Sequence, residues 1–244
     1  MRLALLTLFL VGCASEPSDP AVLDAVVDSV VTDTFVADTF VADTAVVETS
    51  DAAPPPLCPE DMVPIPAACI DRYEAPNVKG EKPLAFQTAP DGEKWCAARG
   101  KRLCTEAEWV RACEGAAKLP YPYGSKYERG RCTDDKTWIS PNWTTLGTYP
   151  SDASLAEARR LYQADPSGSR AGCGSSDDVV DLTGNVAEWV TRSFPNSNNY
   201  AHVMKGCYWA GCFGGSPPSC TFVNPAHPGT FRTYEAGFRC CKTR

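Results

Sequence analysis

The sequence predicts an α+β domain, disulfide-rich and poor in regular secondary structure. Three observations carry that prediction. Two short helices are marked by caps in the first half of the chain. A long stretch of Gly, Pro and turn residues follows them, with extended segments late in the sequence. And 13 cysteines stand among 244 residues, a density that in an oxidising compartment reads as a set of covalent staples.

The chain begins "MRLALLTLFLVGC". One basic residue, Arg2, precedes an apolar run from Leu3 to Val11, too short to span a bilayer as a permanent helix. The ending "LVGC" resembles the bacterial lipoprotein signal. That resemblance implies cleavage after residue 12, lipidation of Cys13 and a membrane tie through its acyl chains. Ala14 and Ser15 follow rather than Asp, which favours the outer membrane or cell surface. Residues 14–56 hold nine acidic residues and no Lys or Arg, and close on Pro54-Pro55-Pro56. Asp28, Asp33, Asp38, Asp43 and Glu48 recur every five residues, a period that fits neither a helix face nor a strand face. The expected organisation is a signal peptide over 1–12, a lipidated Cys13 with a disordered acidic tether through residue 56, and a folded domain over 57–244. As a flexible chain the tether spans roughly 35–40 Å, and more with self-repulsion. The domain holds 22 basic and 21 acidic residues, so it carries no nucleic-acid footprint.

Within the domain, "MVPIPAACIDRYEA" reads as a hairpin, with Pro64 and Pro66 keeping one strand at an edge. Cys58 and Cys69 flank it and can pair across it. "EKWCAARGKRLCTEAEWVRACEG" holds two helices. The first runs to about Arg99, with Gly100 as its cap. The second has Thr105 at its N-cap and Glu108 three residues later, a capping box. Trp109, Ala112 and Cys113 share its inner face, and Gly115 ends it. "YPYGSK", "SPNWTT" and "DPSGSR" then read as turns and short segments.

Without Cys13, twelve cysteines remain: Cys58, Cys69, Cys96, Cys104, Cys113, Cys132, Cys173, Cys207, Cys212, Cys220, Cys240 and Cys241. Zinc fails on spacing, since no C-x-x-C occurs and only His202 and His227 could supply imidazole. Up to six disulfides are expected, and their connectivity does not follow from sequence.

"RLCTEAEWVRAC", "YPYG", "DLTGNVAEWV", "KGCYW" and "GFRCC" occur in the order found in the formylglycine-generating enzyme (sulfatase-modifying factor) family, over about residues 60–242. The resemblance implies a variant of the C-type-lectin fold. It also implies a calcium site at "DLTGNVAEW": the side chains of Asp181 and Glu188 and the carbonyls of Gly184 and Val186, with Asn185 tying the loop. Such an oxygen set suits Ca²⁺. For the family's other calcium site the best match is Thr133, a poorer ligand, with Asp177 or Asp178.

Enzymes of this family oxidise a substrate cysteine to formylglycine with O₂ and a copper ion held by two cysteines, soft ligands that select Cu(I). Their pair sits as C-x4-C after a strand that aligns with "KGCYW". In that register Gly211 occupies the first catalytic position. Cys212 falls one residue late, and the remaining candidate, Cys220, follows after seven residues instead of four. A Cys212–Cys220 bridge closing the Gly/Pro loop is expected instead, with Cys207 paired elsewhere, to Cys240 or Cys241. No spacing supports a Cys/His dyad with His202 or His227. Arg232, Tyr234, Arg239 and Trp209 could line a peptide or glycan groove. The expectation is instead that Phe231, Tyr234 and Phe238 fill the core, with the arginines solvated. The function expected is a surface-anchored, non-catalytic module that binds a protein or glycan or serves as an envelope component. The alternative is a copper-dependent formylglycine-generating oxidoreductase acting on exported proteins.

Overall fold

A computed structural model describes residues 57–244; the signal, Cys13 and spacer expected over 1–56 lie outside the described residues. The hairpin forms as its sequence predicts. β1 (Met62–Ile65) and β2 (Ala68–Asp71) pair antiparallel, Ala67 turns the chain at φ +68°, and Cys58 bridges to Cys69. β1 is the edge of a four-stranded sheet completed by β3 (Arg102–Leu103) and β8 (Cys240–Thr243), in the order β1-β2-β8-β3, a position that tolerates Pro64.

The two capped helices follow. α1 (Ala89–Ala97) begins at a capping box, Thr88 with Asp91, and ends at Ala98. It stops two residues before the expected end, and Gly100 (φ +65°) instead shapes the turn into β3 (Arg102–Leu103). α2 (Glu106–Glu114) lies where the capping box of Thr105 and Glu108 places it, burying Trp109, Ala112 and Cys113 and ending at Gly115.

Two further helices, α3 (Trp143–Leu146) and α4 (Asp152–Leu161), occupy a stretch expected to be turns. α4 has a sound local basis: Ser151 caps it and Ala, Leu, Glu and Arg fill it. Its buried face is sparse, only Ser154, Ala158 and Leu161, so the apolar period is faint.

The second sheet, of order β6-β5-β4-β7, joins β4 (Ala187–Thr191), β5 (His202–Lys205), β6 (Val223–Asn224) and β7 (Ala236–Phe238). β4 is buried on both faces. Trp189 enters a cluster with Trp209, Tyr234 and Phe238, while its neighbour Val190 enters another with Trp109, Ile70 and Leu182. This is the alternation of a strand between two packed layers.

β7 and β8 (Cys240–Thr243) are one extended segment broken only at Arg239, and they belong to different sheets. Successive side chains in β8 point to opposite faces. Cys240 accordingly reaches Cys96 in α1, and Cys241 reaches Cys104 just after β3.

Candidate functional site

The stretch "KGCYWAGC" begins at the end of β5. Gly206 (φ +83°) passes so close to the Leu182 carbonyl that a Cβ would come within 2.6 Å of it. Cys207 is also left-handed, at φ +63°, and the two together turn the chain out of the sheet. Tyr208 and Gly211 then face each other, the Gly211 amide donating to the Tyr208 carbonyl at 2.8 Å. A Cys207–Cys212 disulfide closes the loop, with its Cα atoms 4.9 Å apart.

Two expected pairings are thereby corrected. Cys212 does not bridge to Cys220, and Cys207 does not reach Cys240 or Cys241. Cys220 donates its amide to the Pro120 carbonyl and bonds Cys113 on α2. Cys132–Cys173 completes the set, so all twelve cysteines are paired. Neither histidine has a thiol partner: His202 meets Glu93 at 2.9 Å, and His227 stacks on Phe231 with ring centroids 3.8 Å apart.

Beside this loop lies an open groove of about 960 Å³, with Trp143, Tyr149, Phe213, Phe222, Phe231 and Glu235 among its walls. Trp143, Tyr149 and Phe213 are 51%, 44% and 51% exposed. Arg232 lies over the Tyr149 ring, 3.9 Å from its centroid, and pairs with Asp91 at 2.6 Å. Glu235 is buried at the floor, where it accepts a hydrogen bond from the Thr233 hydroxyl. Burial raises its carboxyl to about 7. Lys205 is also buried, lying 3.8 Å from Glu106 and beneath the Trp109 ring. Burial lowers its ammonium to about 8.

Of the cluster singled out from sequence, Trp209, Tyr234 and Arg239 are in the interior and only Arg232 reaches the groove. Tyr234 and Phe238 are core as expected, while Phe231 is half-buried and lines the groove. Arg239 is not solvated, being buried on Glu188, while Arg232 is part-exposed and paired with the half-exposed Asp91. Sequence reasoning missed Trp143, Tyr149, Glu235 and Lys205. The aromatic spacing in "PNWTTLGTYP" was the available signal for the first two.

"DLTGNVAEW" sits in the interior. Glu188 is fully engaged: Oε1 accepts from Arg239 Nη2 at 2.7 Å, and Oε2 accepts from Arg239 Nε at 2.7 Å and Trp109 Nε1 at 2.8 Å. Arg239 also donates to the carbonyls of Asp71, Arg72 and Val180. Asp181 accepts from the Gly168 amide at 2.7 Å. Burial raises its carboxyl to about 6, with the Glu188 charge adding to the effect. Asn185 (φ +58°) ties the loop together, accepting from the Asp165 amide and donating to Glu74. Glu74 is wholly buried. Burial first, then the charges of Asp181 and Glu188, push its carboxyl well up. At the second calcium position, the Thr133 hydroxyl donates to Asp165, and Asp177 pairs with Arg111.

Three buried carboxyl groups (Glu74, Asp181, Glu188) thus surround one buried guanidinium, and burial raises the first two toward their neutral form. The donors as they stand do not suit calcium, because both Glu188 oxygens are committed to Arg239 and Trp109. Among the described residues, no three His, Cys, Asp or Glu side chains converge to hold a metal ion.

Residues 37–244 match the model described as the sulfatase-modifying factor enzyme 1-like domain. The chain belongs to this family. Among curated relatives, the inactive C-alpha-formylglycine-generating enzyme 2 of Bos taurus is 30% identical over 170 residues, 66% of this chain and 50% of the relative. The protein of that name from Mus musculus is 27% identical over 173 residues, 68% and 50%. The formylglycine-generating enzyme of Mycobacterium tuberculosis is 29% identical over 114 residues, 46% and 34%. The chain spans about half the length of the first two relatives. Among solved structures, CarF superposes with a TM-score of 0.49 at 13% identity, over 72% of this chain and 86% of that one. PvdO from Pseudomonas aeruginosa superposes with 0.47 at 18%, over 72% and 80%. The first two of these curated relatives are named as inactive, and the third is named as the enzyme.

Proposed function

We propose that this domain is a non-catalytic binding module, a C-type-lectin-like variant of the family fold. A protein or glycan ligand would lie in the groove between Trp143, Tyr149 and Phe213. The observation that carries this reading is the separation of Cys212 from Cys220, each in a disulfide with a different partner. A copper ion of the family's kind needs two thiolates together, and none of the twelve cysteines of the domain is a free thiol. In this reading the module is exported, tethered through lipidated Cys13 and residues 14–56, and presented at the outer membrane or cell surface.

Two measurements on the purified full chain test it. Alkylation under denaturing, non-reducing conditions should leave all twelve domain cysteines unlabelled. Incubation with Cu(I), O₂ and a cysteine-bearing sulfatase peptide should give no formylglycine. Two labelled thiols that bind copper, or formylglycine product, would establish the oxidoreductase instead.

Calcium at Asp181, Gly184, Val186 and Glu188 belongs to the same proposal and requires Glu188 to release an oxygen from its present partners. A ligand bound only by the folded state stabilises it by about 2.7 kcal/mol at a hundredfold excess over Kd. Calcium should then raise the Tm above that in chelator, and an unchanged Tm removes the site.

A further inference from the structure

The six disulfides are not equivalent. In five of them both cysteines are buried, with Cys58 the most exposed at 8%. The sixth differs. Cys207 is 4% exposed, but Cys212 stands part-exposed at the start of the Phe213–Gly215 turn. Its cysteines are five positions apart, against separations of 11 to 144 in the others. A cross-link stabilises in proportion to the logarithm of the loop it closes, so this one constrains the unfolded chain least. Opening it leaves five staples and both sheets in place.

Its surroundings suit exchange. Cys207 and Cys212 line a small cavity together with Lys205 and Glu235. Exchange needs access to one sulfur of the pair. The Lys205 ammonium turns away from the bridge, toward Glu106 and the Trp109 ring. Cys212 is the part-exposed residue of the pair, and the buried one, Cys207, directly follows the Lys205-Gly206 turn.

We propose that Cys207–Cys212 is a thiol-exchange site, with a low-molecular-weight thiol as its co-substrate. The incoming thiolate attacks Cys212 Sγ. A bond forms between the two sulfurs, the Cys207–Cys212 bond breaks, and its electron pair leaves on Cys207 as a thiolate. The attacking thiol has lost its proton to solvent, and the Cys207 thiolate takes one up. A second thiol, attacking the adduct, completes a two-electron reduction: two thiols become one disulfide, and the protein bridge becomes two thiols. Cys212 adjoins Phe213, which stacks on Tyr208 with centroids 5.5 Å apart and forms part of the groove wall. An adduct there changes the groove's edge.

The test exposes the native full chain to millimolar glutathione, quenches it with an alkylating reagent and maps the peptides by mass spectrometry. The expected result is a glutathione adduct on Cys212 and alkylation of Cys207, at least tenfold faster than at any other cysteine, with far-UV dichroism unchanged. A first adduct on Cys207, equal opening of another bridge, or no opening before the domain unfolds would overturn the proposal. Formylglycine product in the separate copper assay would overturn the non-catalytic reading and leave this selectivity untouched.

Discussion

Arg239 and Phe213 lie on the same domain under opposite conditions. Around Arg239 the donors and acceptors match: its guanidinium meets both oxygens of Glu188 and three backbone carbonyls in a fully buried setting. Around Phe213 large apolar side chains face solvent beside an open groove, on a loop with three glycines at positive φ, Gly211, Gly214 and Gly215. The first region joins the two sheets. The second is shaped by turns and a short bridge. Saturated partners make a region intolerant of change, and unsaturated apolar surface leaves a region with something to bind.

Three substitutions test that contrast, beginning with the largest effect. Replacing Cys96 and Cys240 together by Ala, with Cys104–Cys241 still closed, opens an effective loop of about ten residues, which costs about 3 kcal/mol, and the cavities left by two wholly buried sulfurs bring the loss to about 5 kcal/mol. The same change at Cys207 and Cys212 should cost about 2 kcal/mol. Urea denaturation of the two double variants reads the difference, and equal losses would erase the distinction between interior and loop staples. Next, Arg239→Met leaves Glu188 buried without its cation and should cost about 3–5 kcal/mol, enough to unfold much of a marginal domain. A thermal melt decides it.

The third is Glu235→Gln, read through pH. The folded carboxyl titrates at about 7, above its ordinary value of 4.5, so the folded state holds the proton more tightly than the unfolded chain does. Stability from this group is therefore greatest below pH 4.5, falls as pH rises through 7, and is level above that. The span is about 3 kcal/mol. The variant should flatten that fall when urea midpoints at pH 5 and pH 8 are compared. A slope of the same sign remains from Asp181, Glu74 and Asp71, whose carboxyls are also raised.

What the sequence made legible follows from the range of each interaction. The capping boxes and the 62–71 hairpin are local, and α2 and the Cys58–Cys69 bridge lie where their residues indicate. α4 was hidden by its thin buried face. The Cys212 pairing misled because attention to the Cys212–Cys220 interval left the four-residue spacing of Cys207 and Cys212 itself unused. The groove brings Trp143 and Tyr149 together with residues some seventy to ninety positions later, and no spacing rule reaches that far. The motif marks Glu188 as a calcium ligand and says nothing of its present partners. Its capture by Arg239 depends on where the last two strands change sheets, which a motif does not record.

The neighbouring cysteines of β8 also impose an order of events on synthesis. Cys240 and Cys241 must find partners made 144 and 137 residues earlier. At ribosomal speeds of about 5–20 residues per second, that interval is roughly seven to thirty seconds. Cys58 and Cys69 can close almost as soon as they emerge, but Cys96 and Cys104 must wait as open thiols, while six other cysteines appear, until nearly the whole domain exists. The correct bridges therefore depend on a catalyst able to undo early mistakes, and a cell lacking disulfide isomerase activity should accumulate this protein in scrambled forms.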